Sequence, residues 1–439
     1  MAQAAHDLTA AEAATLIASR RLSPAELMAG LRSRIESTEP VLQAWAHLNP
    51  DELGPGGPGP LHGVPFGVKD VIDVGGLPTG CGFEPFAKRI ADSDATAVAR
   101  LRSAGALPVG KTATTQFAFR DPPPTLNPWD PGRSPGGSST GSAVAVAMRQ
   151  VPFALGTQTS GSVLRPAAFN GVVGFKPTFG RVSKQGVFPD AWSLDHVGVL
   201  ARTVEDCRVV LAAMEGWDPA DPTSAPARPA RRALSGPPRL GLLREALELA
   251  SSEVGEHVDA AARHFLSEGA EVVVVRLSYP IALIHSVHQV TMESEMAAAH
   301  RDLLDLYPDE YRAGLRAFLE VGAAIPAWAY VHAQRIRRRI AVELAQSLAE
   351  VDAIMLPTCS SLPPLRGAGT GDSSYQAPFS LAGVPSISLP SKPGPSGLPL
   401  AFQLAAPVWE DHLLLAVAGW CEARLEPMPA PPFPSQPKE

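Results

Sequence analysis

Gly156-Thr157-Gln158-Thr159-Ser160-Gly161-Ser162 is the stretch on which the reading of this chain turns, taken together with Gly136-Gly137-Ser138-Ser139-Thr140-Gly141-Ser142 just upstream. Both are serine-rich glycine loops whose residues are small enough for the backbone to turn sharply and aim several N–H groups at one point. A lysine, Lys69, lies further upstream in the apolar run 64–74, which is broken only by Lys69, Asp70 and Asp73. Together these supply a hydroxyl nucleophile, a base and a set of backbone donors, the parts that acyl transfer needs. The donors must sit about 3 Å from the developing negative charge. No histidine lies near either loop, so the base falls to Lys69. Among Val64, Phe66, Val68, Val71 and Ile72 its ammonium is expected to be desolvated, leaving some neutral amine able to take a proton. Ser138 is placed to relay that proton.

Outward from the loops, strand, glycine-rich turn and helix alternate. Residues 106–109 and 151–155 read as strands, and 142–148 as a helix of small apolar residues. The pattern predicts an α/β core with its function at the strand ends. Residues 1–53 are predicted to hold two helices, opened by the capping boxes Thr9-Ala10-Ala11-Glu12 and Ser23-Pro24-Ala25-Glu26. Residues 62–217 form the expected core carrying the loops. A Pro-, Ala- and Arg-rich stretch, 218–238, reads as an internal linker. Strands and a long helical region follow over 239–350, a last core segment over 351–427, and a loose tail over 428–439. All of this is expected to make one domain.

The 439 residues carry a net charge of −7 with acids and bases interspersed, which argues against a nucleic-acid partner and against a basic membrane patch. The four cysteines, Cys81, Cys207, Cys359 and Cys421, show no C-x-x-C spacing and read as reduced core residues. No signal peptide or membrane-length apolar run is apparent, so a cytoplasmic protein is expected.

Two rival chemistries have weaker support. Gly137-Ser138-Ser139-Thr140-Gly141 fits G-x-S-x-G, with Ser139 as nucleophile and Asp411-His412 as late partners, but Arg133-Ser134-Pro135-Gly136 before it is not a strand. His285, His288, Glu293 and Glu295 are metal-ligand types without the HExxH spacing.

The run from Gly136 to Ala147 resembles the hallmark of the amidase signature family, and the run from Ala154 to Pro166 resembles the second half of that signature. Further matches are Gly63 to Asp70, Gly171 to Thr178, Ser193-Leu194-Asp195, Leu356-Pro357-Thr358 and Phe379 to Pro385, in the family's order over nearly the whole chain. The resemblance implies the amidase signature fold, a central mixed β-sheet surrounded by helices. It also implies a Ser-cisSer-Lys triad, with Ser162 as nucleophile, Ser138 as bridging serine on a cis peptide after Gly137, and Lys69 as ultimate base. The N–H groups of Thr159, Ser160, Gly161 and Ser162 are then the oxyanion hole, and Ser139 is expected to hydrogen-bond Lys69. No metal or organic cofactor is implied, and a homodimer is a common arrangement for such folds.

Two departures stand out. Gln158 occupies a position where many members have Asp, and Leu164 one where they have Arg. Losing both partners of a buried ion pair is nearly neutral, whereas losing one strands a charge. Arg165 lies one place later, and Ser160 and Thr140 stand where glycines are usual. The resemblance further implies that residues 279–333 wall the acyl pocket. The apolar content there (Ile281, Leu283, Ile284, Met292, Phe318, Ile325, Trp328, Tyr330) favours a stand-alone hydrolase of small apolar or aryl amides or carbamates, a urethanase among them. The alternative is an amidotransferase A-type glutaminase subunit working with partner subunits on misacylated tRNA.

Overall fold

The structure, a computed structural model, describes residues 4–49, 57–122, 124–226, 228 and 232–433. Both predicted capping boxes form. Thr9 and Glu12 cap α1 (Ala10–Ala18) reciprocally, and Ser23 and Glu26 do the same for α2 (Pro24–Leu42), with Pro24 in its first turn. The remaining helices are α3 (Thr96–Ser103), α4 (Thr140–Ala147), α5 (Leu164–Asn170), α6 (Val204–Met214), α7 (Arg244–Glu248), α8 (Ser252–Ser267), α9 (Ile281–Leu306), α10 (Ala313–Ala324), α11 (Ala327–Ala349), α12 (Ala377–Ala382) and α13 (Asp411–Glu422).

The strands are β1 (Trp45–Leu48), β2 (Pro65–Lys69), β3 (Leu107–Thr112), β4 (Phe153–Gln158), β5 (Val173–Lys176), β6 (His196–Ala201), β7 (Arg239–Leu243), β8 (Glu271–Val275), β9 (Ala353–Pro357), β10 (Ser386–Pro393) and β11 (Pro399–Ala405). They form one mixed sheet in the order β1-β3-β2-β4-β6-β5-β10-β11-β9-β7-β8. Strands β2 to β6 are buried at every position, so their apolar residues run on without alternating and their polar ones, Lys69, Lys111, Thr112, Thr157, Gln158, Lys176 and His196, fall at or next to an end.

Pairing places the site. β2 lies between β3 and β4 and runs parallel to both, with Val68 opposite Lys111 and Leu155 and Lys69 opposite Thr112. The C-terminal ends of β2 and β4 therefore share one edge, bringing Lys69 beside the loop that follows Gln158. The first glycine loop drops onto this edge because α4 packs against the sheet at backbone distance. A Cβ on Gly141 would lie 2.0 Å from the Ala44 carbonyl oxygen and 2.4 Å from the Ala113 nitrogen, so only glycine fits.

The long helical region predicted within 239–350 is chiefly three helices, α9 to α11, the last opened by Pro326 at its N-cap. The start of the expected linker is tied down. Thr96 and Ser183 hydroxyls both donate to Asp218 at 2.6 Å, and the Lys184 N–H donates to Asp221 at 2.8 Å. Residues 227 and 229–231 of that linker, 50–53 of the N-terminal region and 434–439 of the tail lie outside the described residues. Among the described residues no helix is long and apolar enough to cross a membrane, and all four cysteines are buried free thiols.

Candidate active site

Lys69 ends β2 and is fully buried. Its Nζ donates to Ser138 Oγ and to Thr157 Oγ1, each at 2.7 Å. Burial pulls its pKa down to about 7, opposed by Asp190 and Asp195 when these are ionised and assisted by the Arg165 guanidinium. A large share of Lys69 is then neutral amine near pH 7.

The first loop is clamped on both sides of a cis peptide between Gly137 and Ser138. Arg165 donates from Nη2 (2.7 Å) and Nε (3.2 Å) to the Gly137 carbonyl and also holds Gly371 O at 2.7 Å, while Thr114 donates to the Ser138 carbonyl at 3.0 Å. The Ser139 N–H donates to the Ser162 carbonyl at 3.2 Å, joining the two loops. The Ser139 side chain departs from expectation. Its hydroxyl donates to Thr157 O and accepts from Thr157 N, both at 3.2 Å, and the hydroxyl bonded to Lys69 besides Ser138 is that of Thr157. The reason is Gly156. A Cβ there would lie 2.7 Å from Ser139 Oγ, so the missing side chain lets Ser139 settle on the β4 backbone.

In the second loop Gln158 holds the turn into α5 with an uncharged amide. Its Oε1 accepts the N–H groups of Val163 (2.9 Å) and Leu164 (3.1 Å) at the start of α5, and its Nε2 donates to Ser380 Oγ at 3.1 Å. Ser380 in turn donates to the Ser160 carbonyl at 2.7 Å. With no anion at 158, Leu164 can be buried without leaving an unpaired charge. The Thr159 carbonyl faces His288 Nε2 at 3.0 Å. Burial lowers the His288 pKa to about 4, so the ring is neutral and donates that bond through Nε2–H. The backbone N–H groups of Ser160, Gly161 and Ser162 donate to no acceptor among the described residues, so they are available to an incoming oxyanion.

Ser162 is 8% exposed and lines a cavity of about 110 Å³ shared with Thr159, Ser160, Arg165 and Asp190. Helix α9 contributes His285, Gln289, Met292 and Met296, and Arg120 and Asp372 add one charge of each sign. A larger cavity of about 650 Å³ opens beside Asp70, Thr114 and Gln116 but contains none of Lys69, Ser138 or Ser162.

Of the apolar residues expected to wall the pocket, Met292 alone lines this cavity. Ile281 and Ile284 are core, Leu283 and Trp328 are exposed, Tyr330 donates to Glu295, and Phe318 packs on Phe119, which does line it. On the α9 side the wall is a helical stripe at positions 285, 289, 292 and 296, whose spacings of three and four put them on one face. That spacing is visible in the sequence. Thr157, Asp190, Arg120 and Asp372 were missed for different reasons. Thr157 lies inside the quoted loop, Asp190 lies near Ser193-Leu194-Asp195, and nothing local marks Arg120 or Asp372.

Among the rival residues, His285 lines this cavity and His288 holds the Thr159 carbonyl, while Ser139, Asp411 and Glu295 are engaged elsewhere. Ser139 is held by the backbone, Asp411 accepts from Thr178, and Glu295 accepts from Ser193 and Tyr330.

The chain matches the amidase family over residues 35–415. It is 34% identical to the glutamyl-tRNA(Gln) amidotransferase A subunit of Thioalkalivibrio sulfidiphilus (strain HL-EbGR7), covering 94% of this chain and 96% of that protein. Among solved structures it is similar to a chain from the inhibitor-bound form of a vestigial protein complex bearing on the origins of an s-triazine catabolic enzyme. That likeness has a TM-score of 0.88 and 29% identity, over 96% of this chain and 99% of the other. It is also similar to a peptide amidase bound to chymostatin, with a TM-score of 0.84 and 30% identity, over 97% and 99% of the two chains.

Proposed function

This chain belongs to the amidase signature family, whose enzymes act on C–N bonds, and from that premise we propose that it cleaves a small amide through an acyl-enzyme on Ser162. The observation that carries the proposal is the buried 2.7 Å contact of Lys69 Nζ with Ser138 Oγ, in a loop whose Ser139 N–H is bonded to the Ser162 carbonyl. Neutral Lys69 takes a proton from Ser138 as Ser138 takes one from Ser162. The Ser162 oxygen adds to the amide carbonyl, and the oxyanion is met by the N–H groups of the turn from Thr159 to Ser162. The proton returns through Ser138 to the departing nitrogen, and water, deprotonated by the same relay, then releases the acid.

Between the two substrate readings, the comparisons favour the amidotransferase A type. The curated relative of that name aligns over nearly the full length of both chains. The opposite charges of Arg120 and Asp372 on a cavity of about 110 Å³ suit a small zwitterionic amide such as glutamine. The stand-alone reading, with an apolar or aryl amide or carbamate, draws on Phe119, Met292 and Met296 in the same cavity and on the likeness to a peptide amidase.

The deciding experiment assays wild type and Ser162→Ala on glutamine, an aliphatic primary amide, an aryl amide and an aryl carbamate. Turnover should fall on the order of 10⁴-fold or more in the variant. A preference for glutamine supports the amidotransferase-type reading, a preference for the aryl substrates supports the stand-alone one, and turnover surviving in Ser162→Ala removes Ser162 as nucleophile.

A further inference from the structure

Asp190 is a buried carboxyl on the wall of the Ser162 cavity, and the relay described above gives it no task. Its neighbour in the same turn is another buried carboxyl, Asp195, and the two meet at one hydroxyl. Thr159 Oγ1 lies 2.6 Å from Asp195 Oδ1 and 3.1 Å from Asp190 Oδ2. A threonine hydroxyl has one proton to give. The shorter contact takes it, and Asp195 also accepts the N–H groups of Asp190 (2.9 Å) and Ala191 (3.0 Å) through Oδ2. Burial raises the Asp195 pKa, but its three donors and nearby Lys184 oppose that rise, so of the two carboxyls Asp195 is the better placed to hold a negative charge. Asp190 is left with one contact to an oxygen whose proton points elsewhere, and its Oδ1 has no hydrogen-bond partner among the described residues. Two carboxylates sharing a buried site cannot both ionise cheaply.

We propose that Asp190 is the neutral acid of this pair, donating its O–H to Thr159 Oγ1, and that in this form it is a positioning residue for the Thr159–Ser162 turn. Thr159 then sits in a directed chain, Asp190 O–H to Thr159 Oγ1–H to Asp195, while His288 holds its carbonyl from α9. The backbone that presents the N–H groups to the oxyanion is fixed from both ends.

Burial and the charge of Asp195 both push the Asp190 pKa up, in the same direction. The charged groups acting on the pair are Lys69 from β2 and Lys184 near Asp195; His288 on the Thr159 carbonyl is kept neutral by burial, and Arg120, Arg165, His285 and Asp372 share the cavity wall with Asp190. Ionising Asp190 would break its bond to Thr159 and place a second anion near Lys69, favouring the ammonium. Activity should therefore fall again on the alkaline side of the Lys69 limb.

The conservative variant separates the two possible states. In Asp190→Asn the amide NH₂ donates to Thr159 as the acid does, but nothing titrates. Infrared difference spectra of wild type minus Asp190→Asn at pH 7 should show a protonated-carboxyl C=O stretch, a readout that needs no substrate. Asp190→Leu should lower kcat about 10-fold or more with little change in KM. Asp190→Asn should recover that loss to within about threefold and lack the alkaline limb while keeping the acidic one. A missing protonated-carboxyl band, an alkaline limb that persists in Asp190→Asn, or a loss in Asn as large as in Leu would each overturn the assignment. The proposal rests on Ser162 as nucleophile only for its kinetic part. Activity surviving in Ser162→Ala would sink that role, while the infrared band would still decide the protonation of Asp190.

Discussion

Lys69 and Lys111 sit on adjacent strands of the same sheet, both fully buried, and differ in their partners. Lys111 Nζ lies 3.3 Å from the Asp70 carboxylate, donates to Thr79 Oγ1 at 2.7 Å and reaches Pro78 O at 3.2 Å. Lys69 has two hydroxyls at 2.7 Å and, among the described residues, no carboxylate in contact. Burial depresses both ammonium groups, but Lys111 is held by direct ion pairing, whereas the acidic groups nearest Lys69, Asp190 and Asp195, make no direct contact with it. A third buried lysine, Lys176, is also pulled down to about 7. It donates to the carbonyls of Val384 (2.6 Å) and Pro177 (3.3 Å), which cannot pass a proton on. Desolvation makes a lysine a base, and a hydroxyl partner gives that base something to deprotonate.

The contrast breaks most directly at Lys69. Lys69→Met should lower kcat about 10³-fold or more, within the range for loss of a general base. Wild-type kcat/KM should rise with pH through about 7, because the pKa of Lys69 is lowered and only the neutral amine accepts a proton. Residual activity in Lys69→Met should lose that limb, and a pH–rate profile of both proteins checks it.

Lys111 should answer in stability instead. Lys111→Met leaves Asp70 buried without its cation and should cost about 3–5 kcal/mol in denaturant unfolding, with most of it recovered in Lys111→Met/Asp70→Asn. If the double variant is as unstable as the single one, the pair is not what Lys111 contributes.

The smallest effect is expected at Thr157, the second hydroxyl on Lys69. Thr157→Val keeps the β-branched shape on β4 and removes one hydrogen bond of about 1 kcal/mol. A fall in kcat of up to about 10-fold with the acidic limb retained would place Thr157 as an orienting partner. A loss as large as that of Lys69→Met would make it part of the proton relay.

The two helical caps, the strands read at 106–109 and 151–155 and the helix after the first loop were all legible in the sequence, because each is written in local chemistry. Capping boxes act over three residues, and strands buried on both faces are continuous apolar runs. The two glycine loops were legible for the same reason, since their residue sizes report how closely the backbone must approach. The pocket wall was not legible by composition. Choosing the apolar residues of the helical region ignored which face of α9 meets Ser162, and that face carries His285 and Gln289 beside its methionines.

What the sequence by itself determined is therefore the set of local elements and the types of group they carry: a buried lysine, two serine loops and the family's order of motifs. Tertiary structure decided which groups meet. The parallel pairing of β2 with β4 puts Lys69 at the start of the second loop. The missing side chain at Gly156 hands the second contact on Lys69 to Thr157 rather than Ser139, and Arg165 reaches back across the fold to the Gly137 carbonyl. These contacts join residues distant in the chain, and no local propensity encodes them. They exist because a close-packed interior leaves each buried polar group few places to find a partner.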